Sequence, residues 1–338
     1  MVQIGLLLSD VPKSVSPQQQ FSDVLRITEA AQRNGFTYIA IGQHFLYGEL
    51  RWLQPVPLLA RLSAHVDPNV KLVTQIMIVP AYHPVVLAEE IATLDVVTEG
   101  RLIFGAGIGY RPEEFGYLGI PFKERASRMD ESLEIMRQLW TKDKVTYHGK
   151  HWQLDDVAPH IWPTQQPHPP IWIGAQKMPG VRRAGRLGDA YACPPEASLE
   201  EARARYDAVR EGFAARGKEF TPQPLRRNVL VADSREQALE EYARVAKGKY
   251  LSYASKGFDM MDKKELEESF AETIAGHAVL GSPDEVIAQL TELITQLPVD
   301  PLLIRPQWPS MNADETIAAI DRFGRDVAPA ILALEGGK

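Results

Sequence analysis

Short, nearly unbroken apolar runs alternate with longer stretches of mixed polarity along this chain of 338 residues. The runs are Val2–Leu8, Tyr38–Gly42, Lys71–Val79, Leu102–Gly107, Pro170–Gly174, Asp189–Cys193, Arg226–Ala232 and Pro301–Arg305. Each is too short for a helix, and the lack of polar alternation predicts strands buried on both faces, as in a parallel sheet. Between them apolar residues recur at helical spacing: Met129, Leu133, Met136 and Trp140 share one face, and so do Leu290, Leu293 and Leu297. Helix starts are marked by Ser16-Pro17, Ser198 with Glu201, Ser234 with Gln237, and Ser282-Pro283 with Glu285. In each, a hydroxyl three residues ahead of a carboxylate or amide can satisfy amide donors that the first helical turn leaves unbonded.

Eight strands taken in turn with helices predict an α/β fold, a (β/α)8 TIM barrel, as one domain over residues 1–338. Two connections exceed simple loops. Residues 143–169 include the hairpin-like VTYHGKHWQL and a proline-rich return, and residues 251–280 precede the last strand. Excursions of this length in a compact domain serve as lids or binding walls.

Charge narrows the partners. The 37 basic and 44 acidic residues give a net charge of −7, spread over helical faces, which argues against a nucleic-acid groove or an anionic membrane surface. No apolar run approaches the ~18–20 residues of a membrane span, and no basic leader precedes the first strand. The single cysteine, Cys193, cannot form an internal bridge, so a reducing, cytoplasmic location is expected. His148, His151, His160 and His168 lack the spacing of known ligand patterns, so no metal site is expected.

The stretch GRLIFGAGIGYRPEEF, residues 100–115, places Gly105, Gly107 and Gly109 at the end of a strand. A dinucleotide fingerprint needs G-x-G-x-x-G running directly into a helix of the first βα unit. Here Tyr110 holds the third glycine's place and the strand is the fourth, so the fingerprint fails. Two explanations stand: a tight strand exit, or a wall without side chains on which a planar ring lies at the barrel mouth.

Several blocks, in order over most of the chain, resemble the bacterial luciferase-like flavin monooxygenases. They are QHF from Gln43, TQIMIVPAYHPVVLAEEIATLD from Thr74, GRLIFGAGIGYRPEEF, RMDESLEIMRQLW from Arg128, PPIWIGA from Pro169, RRAGRLGDAY from Arg182, and GSPDEV from Gly281. The resemblance implies a barrel that binds reduced FMN at its C-terminal mouth. Thr74, Gln75 and Ile76 then lie beneath the flavin ring, with a non-proline cis peptide at Gln75–Ile76, and Gly105 and Gly107 clear room for that ring. Gly174, Ala175, Gln176 and Lys177, between a strand and a helix start, receive the phosphate, because free amides and a lysine attract an anion there. His44 matches the family's histidine near the reactive face, a proton donor or acceptor. Gln43 precedes it where the family often has an acidic residue, so the imidazole has no adjacent carboxylate in the sequence.

Arg226 and Asn228 are expected on one face of strand 7 and Arg227 on the other; Arg305 ends strand 8. In some family members a strand 7 arginine acts on the flavin's oxygen adduct or an anionic substrate, which makes Arg226 a catalytic candidate. Tyr110, Phe115, Tyr117, Trp152 and Trp162 are expected to flank the mouth and exclude water. The implied activity is a monooxygenase using reduced FMN, supplied by a separate flavin reductase, and O2 to oxidise a small organic substrate through a flavin hydroperoxide. The protein is expected to be a homo-oligomer. Two alternatives stay open: hydride transfer with a deazaflavin coenzyme, and a flavin-binding barrel without turnover.

Overall fold

A computed structural model describes residues 1–256, 263–274 and 276–334 of the chain. Nine strands form one curled sheet: β1 (Ile4–Leu8), β2 (Tyr38–Ile41), β3 (Lys71–Thr74), β4 (Leu102–Gly107), β5 (Ile171–Gly174), β6 (Ala190–Ala192), β7 (Gln223–Val231), β8 (Val279–Gly281) and β9 (Val299–Arg305). Their order is β6-β5-β4-β3-β2-β1-β9-β7-β8. All these pairings are parallel. Just past β6, Cys193 makes an isolated parallel bridge to Leu225 of β7, so the two ends of the β6-to-β7 run approach each other.

The unbroken apolar runs are explained by two cores, one on each face of the sheet. Leu7, Tyr38, Ala40, Val73, Ile103, Trp172, Ala190 and Leu303 pack together as one buried cluster. Their neighbours in the strands, among them Leu6, Ile39, Leu72, Phe104, Ile173, Tyr191 and Ile304, belong to a second cluster shared with the helices. With a period of two along each strand, every apolar residue finds one core or the other. The helices cover the outer face from capped starts. Ser198 with Glu201 and Ser282 with Glu285 form complete capping boxes, and Ser16 and Ser234 accept from the amides of Gln19 and Gln237.

Two expected boundaries shift, and one strand is additional. Lys71–Val79 is not one strand: β3 ends at Thr74, the Gln75–Ile76 peptide is cis, and Met77–Ile78 then pairs separately with Ala106 and Gly107. β7 begins at Gln223, inside a polar stretch that hides it; the buried Gln223 side chain accepts from the Tyr191 amide and so joins β7 to β6. β8 is only three residues long, too short to stand out as a run. The 143–169 excursion contains an antiparallel pair, Val145–His148 with Gln153–Val157. The helix Arg235–Ser255 opens the other excursion, and residues 257–262 and 275 of it lie outside the described residues.

Candidate active site

A cavity of about 700 Å³ opens at the C-terminal ends of the strands. That is the size of a pocket for a cofactor or drug-sized ligand. Inward positions at the strand ends supply its floor, among them Gly42, Gln75, Gly107 and Gly174. Gln75 is 5% exposed, and neither its amide nitrogen nor its amide oxygen has a hydrogen-bond partner. A buried primary amide without partners is costly, so this floor fits a ligand with its own donor and acceptor edge, such as a flavin ring.

The glycines serve the protein's own chain. A Cβ at Gly105 would stand 1.8 Å from the Thr74 carbonyl oxygen, and one at Gly174 would stand 1.6 Å from Ile76 Cδ1. At Gly107 the contact would be Ile76 Cγ2 at 2.9 Å. Thr74 and Gly105 do not line the cavity; they bond each other, Gly105 N to Thr74 Oγ1 at 2.8 Å and that hydroxyl to Gly105 O at 3.1 Å. The glycines of β4 and β5 thus admit the bent segment 74–76, and Ile76, in the space they leave, becomes part of the floor. Gly109 has a different reason, a φ of +73° at the turn leaving β4.

His44 lies in the wall. Its Nδ1 is 2.9 Å from Glu114 Oε1, which also accepts from the Phe45 amide at 2.8 Å and faces Arg111 Nη1 at 3.3 Å. Glu114 and Arg111 are each 1% exposed. A carboxylate can only accept, so Nδ1 carries the proton and Nε2 is the exchangeable position. Nε2 lies 3.5 Å from the Tyr110 hydroxyl, which burial keeps well above its usual pKa and therefore neutral. His44 has no carboxylate beside it in the sequence, but the fold supplies one. Glu114 fills that place from 70 residues away, within the RPEEF block already singled out. Gln43 is structural: its side-chain oxygen accepts from the Ile78 amide and its nitrogen donates to Gln54.

The four residues named for the phosphate are consecutive and share one stretch of the cavity wall. Gly174, Ala175, Gln176 and Lys177 all line the cavity beside the helix Met178–Leu187, whose first turn has no side-chain cap. Two residues were not foreseen in this role. Arg125 and Arg183 line the same end, Arg125 Nε has no partner, and burial together with repulsion from Arg183 lowers the Arg125 pKa. Arg183 is ion-paired with Asp130. At the helix start beside them Pro179 has no N–H and the Gly180 amide is bonded to Lys177 O, so a phosphate here would rest on the guanidiniums and the turn at Gln176–Met178. Arg125 opens the helix Arg125–Thr141, three residues ahead of the RMDESLEIMRQLW block, and reads as solvated surface, so only the tertiary packing reveals it.

On the opposite side, Arg226 lines the cavity and donates Nε to Cys193 O at 3.0 Å, with Glu196 and Arg305 nearby. Asn228 shares its face and donates to Tyr250, while Arg227 points into the helix layer, as the alternation predicts, but is buried at 3% exposure. The aromatic wall differs from the expected one. Of those named only Tyr110 lines the cavity, joined by Trp52, Phe122 and Tyr253. Glu114 and Phe115 take the buried side of the short helix Pro112–Tyr117, which turns Tyr117 outward to 61% exposure. Trp162 is also exposed, and Trp152 packs on His83 away from the cavity. Among the described residues no group of three or more His, Cys, Asp or Glu side chains could hold a metal ion, and no helix is long and apolar enough to cross a membrane.

The parallel α/β sheet thus carries a cavity at its strand ends, with a histidine–carboxylate pair in the wall and an uncapped helix start beside it. The chain belongs to the luciferase-like monooxygenase family, which matches residues 2–300. An F420-dependent glucose-6-phosphate dehydrogenase of Segniliparus rotundus is 27% identical over 337 residues, 94% of this chain and 96% of that protein. An FMNH2-dependent dimethylsulfone monooxygenase of Pseudomonas putida is 28% identical over 218 residues, 63% of this chain and 59% of that protein. A solved structure of the monooxygenase RslO1 from Streptomyces bottropensis superimposes with a TM-score of 0.86 at 24% identity, covering 97% of this chain and 99% of that one, and shares its fold. The cofactors named among the relatives are thus FMN and the deazaflavin F420.

Proposed function

We propose that this protein is a flavin-dependent monooxygenase that uses reduced FMN and O2, and that the Cys193–Leu225 bridge closes β1–β7 and β9 into an eight-stranded barrel around its site. The observation that carries the assignment is the floor at Gln75, a cavity-lining residue whose buried side-chain amide has no hydrogen-bond partner among the protein's own groups. Gln75 would bond the polar edge of the flavin ring and Ile76 would support its face. Arg125, Arg183, Lys177 and the turn at Gln176–Met178 would hold the phosphate. When bound, reduced FMN supplies two electrons, so that one atom of O2 enters the substrate and the other leaves as water.

The chain's own residues do the rest. His44, fixed by Glu114, takes or returns a proton at Nε2, with Tyr110 as its hydrogen-bond neighbour. Trp52, Tyr110, Phe122 and Tyr253 keep water from the reacting centre. Arg226 lines the wall on β7, where its charge would stabilise negative charge developing on a bound reactant. The sequence carries no dinucleotide fingerprint for a pyridine nucleotide, which favours flavin arriving already reduced by a separate reductase.

A second reading, hydride transfer with F420, is favoured by the His44–Glu114 pair. An imidazole held in one tautomer is the acceptor an alcohol needs as its hydride leaves. Turnover under ¹⁸O2 with reduced FMN and a panel of aldehydes, ketones and sulfonates tests the assignment. One labelled oxygen per product supports oxygenation. No label, together with reduction of F420 by an alcohol, supports the second reading in its place.

A further inference from the structure

Lys249, on the helix Arg235–Ser255, carries an amine that the chemistry above leaves unused. It is 5% exposed, yet it lines the cavity beside Asp10, which follows β1 and is fully buried. Lys249 Nζ is ion-paired with Asp10 Oδ1 and donates to Ser9 Oγ at 2.8 Å. The Ser9 hydroxyl donates in turn to Asp10 Oδ1 at 2.8 Å, and the Ser9 amide is fixed by Gln307 Oε1 at 2.9 Å. The other carboxylate oxygen, Asp10 Oδ2, is buried without a partner. Around Nζ stand the rings of Trp52, Tyr253 and Trp308, with centroids at 6.0, 5.4 and 5.8 Å.

A lysine amine becomes a nucleophile when a water-poor setting or a neighbouring cation favours its neutral form and a base stands beside it. These conditions meet at Lys249. Burial has the largest influence on its pKa and Arg305 adds to it; Asp10 and Glu196 pull the other way, and the amine settles at about 8. The remaining ionisable group against Nζ is Tyr253, which stays neutral because burial holds its phenol well above the usual value. At pH 7 roughly a tenth of Lys249 is therefore neutral, on the order of a hundredfold more than of an exposed lysine. An ion pair that served the fold alone would have no need to line a cavity with one of its oxygens left unbonded.

We propose that Lys249 captures carbonyl compounds: an aldehyde or ketone with a short apolar tail enters the cavity and condenses with the amine to an imine, while Asp10 and Ser9 carry the protons. The neutral Nζ attacks the carbonyl carbon, so that the C–N bond forms and the π pair moves to oxygen. Asp10 Oδ1 accepts a proton from the nitrogen and passes it, by way of Ser9 Oγ, to that oxygen. Asp10 Oδ2, free of other partners, accepts from the hydroxyl so formed and holds it in place. A second proton follows from nitrogen to the hydroxyl, the C–O bond breaks, and water leaves. Both hydrogens of the amine depart in that water, nothing is oxidised or reduced, and Asp10 ends as the carboxylate it began. The three rings cover the apolar tail and limit the water that would reverse the step. Neither flavin nor O2 takes part, so the proposal does not depend on the cofactor.

The test uses the full-length protein without flavin, butanal as the probe, and excess sodium cyanoborohydride, which reduces an imine to a stable secondary amine. Peptide mass spectrometry follows butylation at each lysine over time. At pH 7 Lys249 should be modified at least about tenfold faster than the exposed Lys142 and Lys150, a smaller margin than the neutral fractions alone give because the amine is reached only through the cavity. Above pH 8 Lys249 is already neutral while the exposed lysines go on losing protons, so its lead should shrink by up to about tenfold per pH unit. All the lysines are read in one sample, so any effect of pH on the reductant cancels. Asp10→Asn leaves more of the amine neutral but removes the base; capture at Lys249 should nonetheless slow at least about tenfold, with Lys142 and Lys150 unchanged. The unaltered protein decides the matter however the variant folds. Modification of Lys249 no faster than that of Lys142, or a lead that does not shrink with pH, overturns the proposal. Undiminished capture in Asp10→Asn overturns the part given to Asp10. Binding of reduced FMN is read separately from its absorbance, so failure here leaves the functional reading standing.

Discussion

Replacing Gly105 with alanine separates two explanations of the glycine-rich strand end. If the glycine clears room for a cofactor, alanine weakens flavin binding and leaves the fold intact. The structure gives the opposite result, because the new Cβ would lie 1.8 Å from the Thr74 carbonyl oxygen, a backbone atom. Contacts below 3.0 Å essentially do not occur, so β3 and β4 must part by about 1.2 Å at this point. That movement also pulls apart the two buried hydrogen bonds between Thr74 Oγ1 and Gly105. Overpacking of about 1–3 kcal/mol and two lost bonds near 1 kcal/mol each give a destabilisation of about 3–5 kcal/mol. Against a total of about 5–15 kcal/mol this is a large fraction. Urea denaturation followed by circular dichroism measures it, with Gly248→Ala as the control. That glycine lies inside the helix Arg235–Ser255 with nothing within 4 Å of its Cβ position, so alanine there should add about 0.5–1 kcal/mol. An unchanged Gly105→Ala midpoint accompanied by lost flavin affinity refutes the reasoning.

Glu114→Gln keeps the shape of the His44 contact but removes the charge; turnover should fall about 10²-fold with its pH profile displaced, and an unchanged profile removes Glu114 from the mechanism. Arg125→Met should weaken reduced FMN about 10–100-fold and leave reduced riboflavin unchanged, since only FMN has the phosphate; equal losses contradict the phosphate assignment. Asp189 joins β5 to the chain after β6 by accepting from the Ile171 amide at 2.9 Å and from Lys218 at 2.6 Å. Burial opposes its charge, but these two donors outweigh it and hold its pKa below the usual carboxylate range. Its stabilisation is therefore complete above the unfolded pKa and lost as pH falls through the lower folded value. Asp189→Asn should cost about 1–3 kcal/mol at pH 7, with the difference from the unaltered protein vanishing in acid.

The strand sequence was legible because burial on both faces leaves a signal in each run separately. Val2–Leu8 and Leu102–Gly107 need no partner to be read. What escaped depends on contacts between distant segments. Glu114 looks like an exposed acidic residue of RPEEF until the fold brings it under His44, and Arg125 looks like helix surface until Arg183 and an open helix start come beside it. Asp10 and Lys249 are 239 positions apart, and neither has a local pattern that marks a buried ion pair. β7 was shortened because Gln223, a buried side chain spent on a neighbouring strand, reads as polar loop. The glycines were noticed, but sequence cannot say what occupies the space they leave. Here it is Thr74 and Ile76.

The central claim is that this cavity holds reduced FMN for reaction with oxygen. Anaerobic titration of the protein with reduced FMN and, separately, with reduced F420, followed by absorbance, tests it most directly. The account predicts the tighter binding for reduced FMN, with reoxidation on admitting O2. Tight binding of F420 alone, with no response to oxygen, would contradict it.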